Sequence, residues 1–301
     1  MSFRFSSLLP ALLLATLIGL SPAHAQNSYY FPTAQQFDAK VPSPQQFLGY
    51  EIGSHYTRHD QLVAYFKELA RVSDKVKVEI IGQSYEQRPL LLVTITSPRN
   101  HARSAEIAAQ RQALIDPAQP LPGADAPAVA WLGYSVHGNE TSSGEAAMLT
   151  AYYLAANQDA ETARWLDQAV VVIDPAQNPD GRDRAANWHN GWGSRPASAD
   201  PADKEHVEPF PSGRVNHYFT DLNRDWLALA QTDSWPKVAQ FHRWYPNIQI
   251  DFHEMGKDST YYFEPSPKSM ESPLLPKSSY EANKWLARFH AKALDDLGSL
   301  Y

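Results

Sequence analysis

The chain has 301 residues, contains no cysteine, carries a formal net charge of −7, and is 43% apolar. The apolar share and the low glycine content exclude a disordered or collagen-like chain, and the lack of cysteine excludes a disulfide framework. The acidic balance argues against general nucleic-acid binding, because such proteins need a basic face to neutralise phosphates.

The first 25 residues are predicted to be a signal peptide. Arg4 gives a positive start, residues 8–20 form a mostly apolar run, and the Ala-His-Ala segment 23–25 offers a cleavage site before Gln26. The apolar run is shorter than the roughly 20 residues that span a bilayer. We therefore expect a periplasmic or secreted protein that has no membrane segment after cleavage.

The mature chain is predicted to form an extended lead-in at 26–55 and one domain at 56–301, because no linker or charge block divides it. Its elements are predicted from hydrophobic spacing and turn signals. In chain order they are a helix from Thr57, strands at 76–81 and 90–96, a helix at 102–115, a strand at 128–134, a helix at 142–156, a strand at 169–173, an irregular stretch at 175–220, a helix around 235–244, a strand at 247–252 and a helix at 280–300.

The alternation of apolar strands with helices predicts the fold class. Strands that are apolar throughout are typical of sheets covered on both faces, and strand-helix alternation favours parallel pairing. The sequence therefore predicts a single α/β domain with a mixed, mostly parallel sheet flanked by helices.

A histidine and a glutamate lie three residues apart shortly after the predicted strand 128–134. The His-Gly-Asn-Glu segment 137–140 places His137 and Glu140 on one tight turn, where both could bind one Zn²⁺ from the same side. In a chain with 11 histidines this spacing arises easily by chance. Taken alone, it is equally typical of a solvent-facing loop histidine.

His253 follows the predicted strand 247–252 much as His137 follows its own strand. Functional groups of open α/β sheets gather outside the carboxyl ends of the strands. Two histidines and Glu140 would supply three protein ligands and leave a fourth position for water, which is typical of catalytic zinc. The sequence therefore predicts one zinc ion held by His137, Glu140 and His253.

Two further polar segments lie near predicted strand ends or helix starts. The Asn-Pro-Asp-Gly segment 178–181 is by itself ordinary turn chemistry. In the Asp-Leu-Asn-Arg-Asp-Trp segment 221–226, Asn223 and Arg224 could clamp a carboxylate through a bidentate contact. The alternative for Arg224 is a surface ion pair with a neighbouring aspartate.

With these segments in order, the sequence from about Tyr56 onward resembles the zinc carboxypeptidases of the carboxypeptidase A type. The resemblance implies a zinc-dependent hydrolase that cleaves C-terminal peptide bonds in peptides with a free terminal carboxylate. Gln87 departs from the family pattern, since glycine is usual there. The matching segments are 56–57, 81–90, 137–140 in its N/E-type spelling, 178–181, 221–226 and 251–253.

The resemblance also implies roles for individual residues. It supports zinc binding by the three residues named above, and it implies that Asn223 and Arg224 bind the terminal carboxylate of the substrate. Asp221 would orient His137 through its second ring nitrogen, as metal-bound histidines usually require.

The family also places an arginine after its Asn-Pro-Asp-Gly turn to polarise the scissile carbonyl. Three arginines of this chain are candidates for that role, and Arg184 is preferred. The candidates are Arg182, Arg184 and Arg195.

The general-base glutamate of the family is expected on a strand well after the last zinc histidine. Residues 254–301 are predicted to form a proline-rich loop and one helix, so we expect the catalytic domain to continue past Tyr301. Two other functions stay open. One is a zinc amidase or deacylase acting on small acylated or cell-wall peptides, and the other is a non-catalytic module that holds zinc and binds peptides.

Overall fold

The computed structural model describes residues 29–31, 36–123, 125–256 and 258–301. The predicted signal peptide lies outside these residues, as does part of the lead-in. No helix within the described ranges is long and apolar enough to cross a bilayer. The described chain divides after Phe252 into two compact units.

The first unit contains helices and strands that alternate along most of the chain. They are α1 (Pro44–Leu48), α2 (His59–Val72), β1 (Val76–Gln83), β2 (Pro89–Ile95), α3 (Pro98–Ala102), α4 (Ser104–Ala113), β3 (Ala128–Tyr134), α5 (Ser142–Ala156), α6 (Ala160–Gln168), β4 (Ala169–Asp174), α7 (Pro179–Trp192), a 3₁₀ turn (Leu222–Arg224), α8 (Ser234–Trp244) and β5 (Ile248–Phe252).

The five strands form one sheet in the order β1-β2-β4-β3-β5. The pairs β1-β2 and β2-β4 are antiparallel, and the pairs β4-β3 and β3-β5 are parallel. The predicted α/β class with a mixed sheet flanked by helices is confirmed. Parallel pairs make up half of the sheet rather than most of it. The short turn between β1 and β2 permits only an antiparallel pair there.

Helices cover both faces of the sheet. Leu91 and Val93 of β2 pack with α2 and α5 in one core cluster, whereas Leu92 between them packs with α4 and α8 in a second cluster. Val170 and Val172 of β4 also belong to the second cluster. Successive strand residues point to opposite faces, so a strand buried on both faces is apolar throughout.

The structure differs from the sequence prediction mainly on the two sides of β4. Helix α7 lies inside the stretch predicted to be irregular, and α6 was not predicted. The side chain of Asn178 accepts a hydrogen bond from the Gly181 N–H, and Pro179 occupies the first helical position. These are helix-start signals, although in the sequence the same residues are also typical of a turn.

The second unit, His253–Tyr301, contains a 3₁₀ turn at Lys268–Met270 and helix α9 at Lys277–Leu297. The predicted C-terminal helix is thus confirmed and begins three residues earlier than expected. Trp285 and Phe289 lie one turn apart on this helix, with ring centroids 4.7 Å apart.

Candidate metal site

The chain leaves β3 through a constrained turn that leads into α5. Ser135 directly after the strand has a positive φ of 57°, and its N–H donates to the Ser143 hydroxyl at 2.8 Å. Val136 is fully buried, which anchors the turn in the protein. His137 therefore follows a fixed backbone, and Glu140 lies two residues before the start of α5.

Gly138 packs directly against the backbone at the start of α7. A Cβ atom at this position would lie 2.0 Å from the Arg182 nitrogen and 2.1 Å from the Gly181 carbonyl carbon. Both are backbone atoms that cannot move aside as a flexible side chain would. The structure therefore places the His-Gly-Asn-Glu and Asn-Pro-Asp-Gly segments in contact, and glycine is required between His137 and Asn139.

His137 is buried and has a carboxylate beside each ring nitrogen. Its Nε2 lies 3.1 Å from Asp221 Oδ1, and its Nδ1 lies 2.8 Å from Glu140 Oε1. An ionised carboxylate can only accept a hydrogen bond, so a neutral imidazole can donate to only one of the two. A proton on Nε2 would donate to Asp221 and leave the lone pair of Nδ1 facing Glu140, where a metal ion could bind both groups.

Asp221 connects His137 to the next polar segment. Its Oδ1 accepts the Asn223 N–H at 2.9 Å and thereby caps the 3₁₀ turn Leu222–Arg224. Partial burial acts to raise the pKa of Asp221, but the Asn223 N–H, His137 and the nearby Arg214 outweigh it, and the pKa lies below its usual value. Asp221 is therefore held in its charged form beside the imidazole.

His137, Glu140 and His253 form a group that could hold a metal ion. One ligand atom of each lies within 4.8 Å of the others, and within the described part of the chain this is the one group of its kind. Two imidazoles and one carboxylate are donors that Zn²⁺ takes in proteins, through bonds of about 2.0 to 2.2 Å. The residues present therefore fit zinc.

Arg214 is the arginine that lies against this group. Its Nη1 donates to His137 Nδ1 at 3.3 Å and lies 3.9 Å from Glu140 Oε1, and its Nη2 donates to Asp221 Oδ2 at 2.9 Å. Asn178 donates through its side-chain amide to the Arg214 carbonyl at 3.2 Å, which fixes the backbone there. A guanidinium group is therefore positioned beside the ligand atoms.

The three arginines that the sequence suggests contact other parts of the protein. Arg184 donates to the backbone carbonyls of Ser212 and Val215 at 2.9 and 3.1 Å. Arg182 is fully buried against Glu145, and Arg195 lies on the surface beside His55. The structure therefore does not bring the preferred Arg184 to the group around His137, because its guanidinium is occupied in holding the loop.

Arg214 is not among the arginines that the resemblance suggests, because it lies far beyond the Asn-Pro-Asp-Gly segment, after α7. It precedes Asp221 by seven residues, and no pattern in the sequence between them marks it out.

Asn223 and Arg224 lie on the 3₁₀ turn that Asp221 caps. Leu222 is buried and anchors this turn, Asn223 is half-buried, and Arg224 is exposed. Arg224 Nη1 donates to the Asn223 carbonyl at 3.2 Å. Since the aspartate that contacts His137 directly precedes this turn, both side chains lie on the segment next to the group that could bind a metal.

Comparison with known proteins relates this chain to one enzyme family. The family model described as zinc carboxypeptidase matches residues 62–270, which is more than half of the chain. Carboxypeptidase D of Mus musculus is 29% identical over 226 residues, and carboxypeptidase D of Homo sapiens is 29% identical over 231 residues. Each match covers 70% of this chain and 15% of the relative.

Solved structures with similar chains have lower sequence identity. A metallo-carboxypeptidase from Burkholderia cenocepacia is 18% identical, with a TM-score of 0.43, over 66% of this chain and 41% of that one. The carboxypeptidase A from Helicoverpa armigera is 16% identical, with a TM-score of 0.45, over 67% of this chain and 46% of that one. The chain thus spans less than half of either structure.

Proposed function

Because the chain belongs to the zinc carboxypeptidase family, we propose that the protein is a metallocarboxypeptidase that releases the last residue from peptides with a free C-terminal carboxylate. The observation that carries this proposal is the group of His137, Glu140 and His253, whose ligand atoms lie within 4.8 Å of one another. The carboxylate-binding candidates Asn223 and Arg224 lie on the turn beside it.

His137, Glu140 and His253 would hold one zinc ion. When bound, zinc polarises a carbonyl oxygen and lowers the pKa of bound water toward about 7. Arg214, whose Nη1 is 3.3 Å from His137 Nδ1, is positioned to donate a hydrogen bond to the scissile carbonyl oxygen. A guanidinium donor at that place would stabilise the charge that develops there, because fixed donors need no reorganisation during the reaction.

Asn223 and Arg224 would select terminal peptide bonds. An arginine can bind a carboxylate through two parallel hydrogen bonds, and an amide beside it adds a further donor. Holding the terminal carboxylate at a fixed distance from the metal ligands would align only the last peptide bond for attack. Internal bonds would lack this contact and would not be positioned.

The substrate proposal is tested with a peptide and with its C-terminal amide. Both are incubated with zinc and the protein purified from its native host, and release of the last residue is followed by mass spectrometry. We expect the free carboxylate to be preferred by about 10- to 100-fold, which corresponds to the loss of one charge-assisted hydrogen bond. Arg224→Met should reduce this preference by raising KM for the free peptide.

Arg164→Met is the matched control, since Arg164 is an exposed arginine on α6. It should leave both rates unchanged. Equal cleavage of peptide and amide would favour the amidase or deacylase alternative and contradict the proposal. Peptide binding without any cleavage would favour the non-catalytic module and contradict it as well.

The hydrogen bond from His137 to Asp221 gives a second prediction. Asp221→Asn keeps the shape of the side chain but removes the charge that fixes the His137 tautomer. Such changes next to a metal ligand typically cost about 10- to 100-fold in metal affinity, and we expect a loss of that size in a zinc competition titration. Asp60→Asn, at an exposed surface ion pair, should leave zinc affinity unchanged, and equal affinities for both variants would contradict the assigned role of Asp221.

We also propose that the protein is exported. The proposal is supported by the charged start, the apolar run and the small-residue cleavage signature within residues 1–25. A periplasmic or extracellular location would bring the enzyme to peptides outside the cytoplasm. N-terminal sequencing of the protein from its native host should find Gln26 as the first residue.

A further inference from the structure

The loop that carries Arg214 begins at a point fixed to α7. The 3₁₀ turn at Lys204–His206 is attached to that helix by a hydrogen bond of 2.9 Å from Trp188 Nε1 to its first carbonyl. Residues 208–214 then have the sequence Glu-Pro-Phe-Pro-Ser-Gly-Arg, in which each proline fixes its own φ at about −65°. Glu208 therefore lies at the start of a short loop whose backbone has little freedom.

Gly213 packs this loop against two other backbones. A Cβ atom at this position would lie 2.6 Å from the Gly181 carbonyl oxygen and 3.1 Å from the Asn139 nitrogen. Gly181 belongs to the first turn of α7, and Asn139 belongs to the turn 137–140. The loop, the start of α7 and the turn 137–140 therefore meet at one junction, where glycine permits the close approach.

The Glu208 carboxylate joins two sides of this junction. Its Oε2 accepts a hydrogen bond from the Asn139 side-chain amide at 2.8 Å, and its Oε1 accepts the Gly213 N–H at 3.0 Å. An ionised carboxylate only accepts hydrogen bonds and has two oxygens, so one group serves both donors. Asn139 directly precedes Glu140, and Gly213 directly precedes Arg214. Each hydrogen bond is thus one residue away from a side chain of the proposed site.

The other contacts of Arg214 fix it to different parts of the protein. Asn178 donates to its carbonyl, and Asp221 accepts from its guanidinium. Glu208 instead ties the backbone beside Arg214 to the turn 137–140. Glu208 and Asn139 are half-buried and Gly213 is buried, and hydrogen bonds to a charged acceptor are stronger than those between neutral groups. The Glu208 contacts are therefore suited to holding two segments together.

We propose that Glu208 is a positioning residue, whose carboxylate holds the turn 137–140 and the loop carrying Arg214 against each other. Through these two hydrogen bonds, Glu140 and Arg214 keep their places beside His137. Glu208 acts through Asn139 and Gly213 rather than by touching the metal. The inference rests on the proposed zinc site, and it adds a carboxylate that is distant in sequence from all of the ligands.

The first test measures zinc affinity of the full-length protein by competition with a chromophoric chelator. Glu208→Met removes both acceptor oxygens while keeping an unbranched side chain. We expect zinc affinity to fall about 3- to 10-fold, which corresponds to the net contribution of one hydrogen bond. Binding is measured directly, so the result does not depend on peptidase activity. Unchanged zinc affinity in a folded Glu208→Met variant would overturn the inference, while the zinc site would stand.

Glu208→Gln separates hydrogen bonding from charge. The glutamine oxygen can accept the Gly213 N–H, and its amide can donate to the Asn139 oxygen after the Asn139 amide flips. This variant should therefore retain most of the zinc affinity although it lacks the negative charge. Equal losses in Glu208→Gln and Glu208→Met would assign the effect to charge and contradict the positioning role. Glu106→Met, which removes an exposed glutamate from α4, is the matched control and should bind zinc as the wild type does.

Amide hydrogen exchange tests the connection between the two segments in the absence of zinc. In Glu208→Met, peptides covering residues 137–140 and 208–214 should both exchange about 3- to 10-fold faster, because losing the shared acceptor favours local opening of both segments. Glu208→Gln should exchange nearly as slowly as the wild type. Faster exchange of residues 208–214 alone would show that Glu208 supports only its own loop, and would contradict the inference.

Asn139→Ala removes the hydrogen bond to Glu208 from the other side. If Glu208 acts on the turn through Asn139, the losses of zinc affinity in Glu208→Met and Asn139→Ala should not add in the double variant, and additive losses would contradict this route. Should Glu208→Met fail to fold, Asn139→Ala provides the test by itself, and wild-type zinc affinity in that variant would overturn the inference. Failure of the wild type to bind zinc would instead refute the proposed function.

Discussion

His137→Ala is expected to abolish stoichiometric zinc binding. The imidazole supplies one of three protein ligands, and zinc sites in proteins are worth roughly 10 to 16 kcal/mol in total. Loss of one ligand should therefore cost about 3 kcal/mol or more, which is at least about 10²-fold in affinity. Metal analysis of the purified chain should find about one zinc ion for the wild type and a much lower content for the variant.

His242→Ala provides the comparison, because His242 is an exposed histidine on α8 outside the group that could bind a metal. It should retain the wild-type zinc content. If the His137 variant keeps one tightly bound zinc ion per chain, then His137 is not a ligand, and the proposed function loses its supporting observation.

Arg182→Met is expected to cause the largest loss of stability. Arg182 is fully buried, and its Nη2 lies 2.8 Å from Glu145 Oε2. It also donates to the Thr141 carbonyl at 3.0 Å, and Glu145 Oε1 accepts the Thr57 N–H at 2.8 Å. Removing the arginine leaves a buried, uncompensated carboxylate, which typically costs about 3 to 5 kcal/mol. Urea unfolding should show a lower midpoint with an unchanged slope.

Arg58→Met tests whether the loss of stability in Arg182→Met is due to the burial of the ion pair. Arg58 and Asp60 form an ion pair with exposed side chains, and such pairs contribute about 1 kcal/mol or less. The double variant Arg182→Met with Glu145→Gln should recover part of the lost stability, because neither member of this buried pair remains charged. A loss below about 1 kcal/mol for Arg182→Met would mean that Glu145 finds water or another partner.

The sequence was sufficient to predict the strands and the site segments that follow them. Runs such as residues 169–173 are apolar at every position because both faces are covered. The same strands end at polar residues, and the topology rule for their carboxyl ends brought His137 and His253 together in the prediction. The apolar pattern of the strands and the topology of the sheet predict the same edge for the polar residues. The strands and the site segments could therefore be inferred without a structure.

Other features depend on contacts between distant segments. Arg184 and Arg214 are both arginines near the same loop, and only the structure shows that one donates to backbone carbonyls and the other to His137. Lys237 gave no signal in sequence, because a lysine on an amphipathic helix is usually exposed. Lys237 is buried because it lies on the side of α8 that faces the sheet.

Because Gly138 lies so close to the Gly181–Arg182 backbone, residues 137–140 could not be moved alone into another protein. In another α/β protein, Gly138 would lie next to a different helix start at a different spacing. The buried Arg182 at the start of α7 would also be missing. A transplant therefore needs the Asn-Pro-Asp-Gly turn as its companion, and the two turns would have to be moved together as one unit.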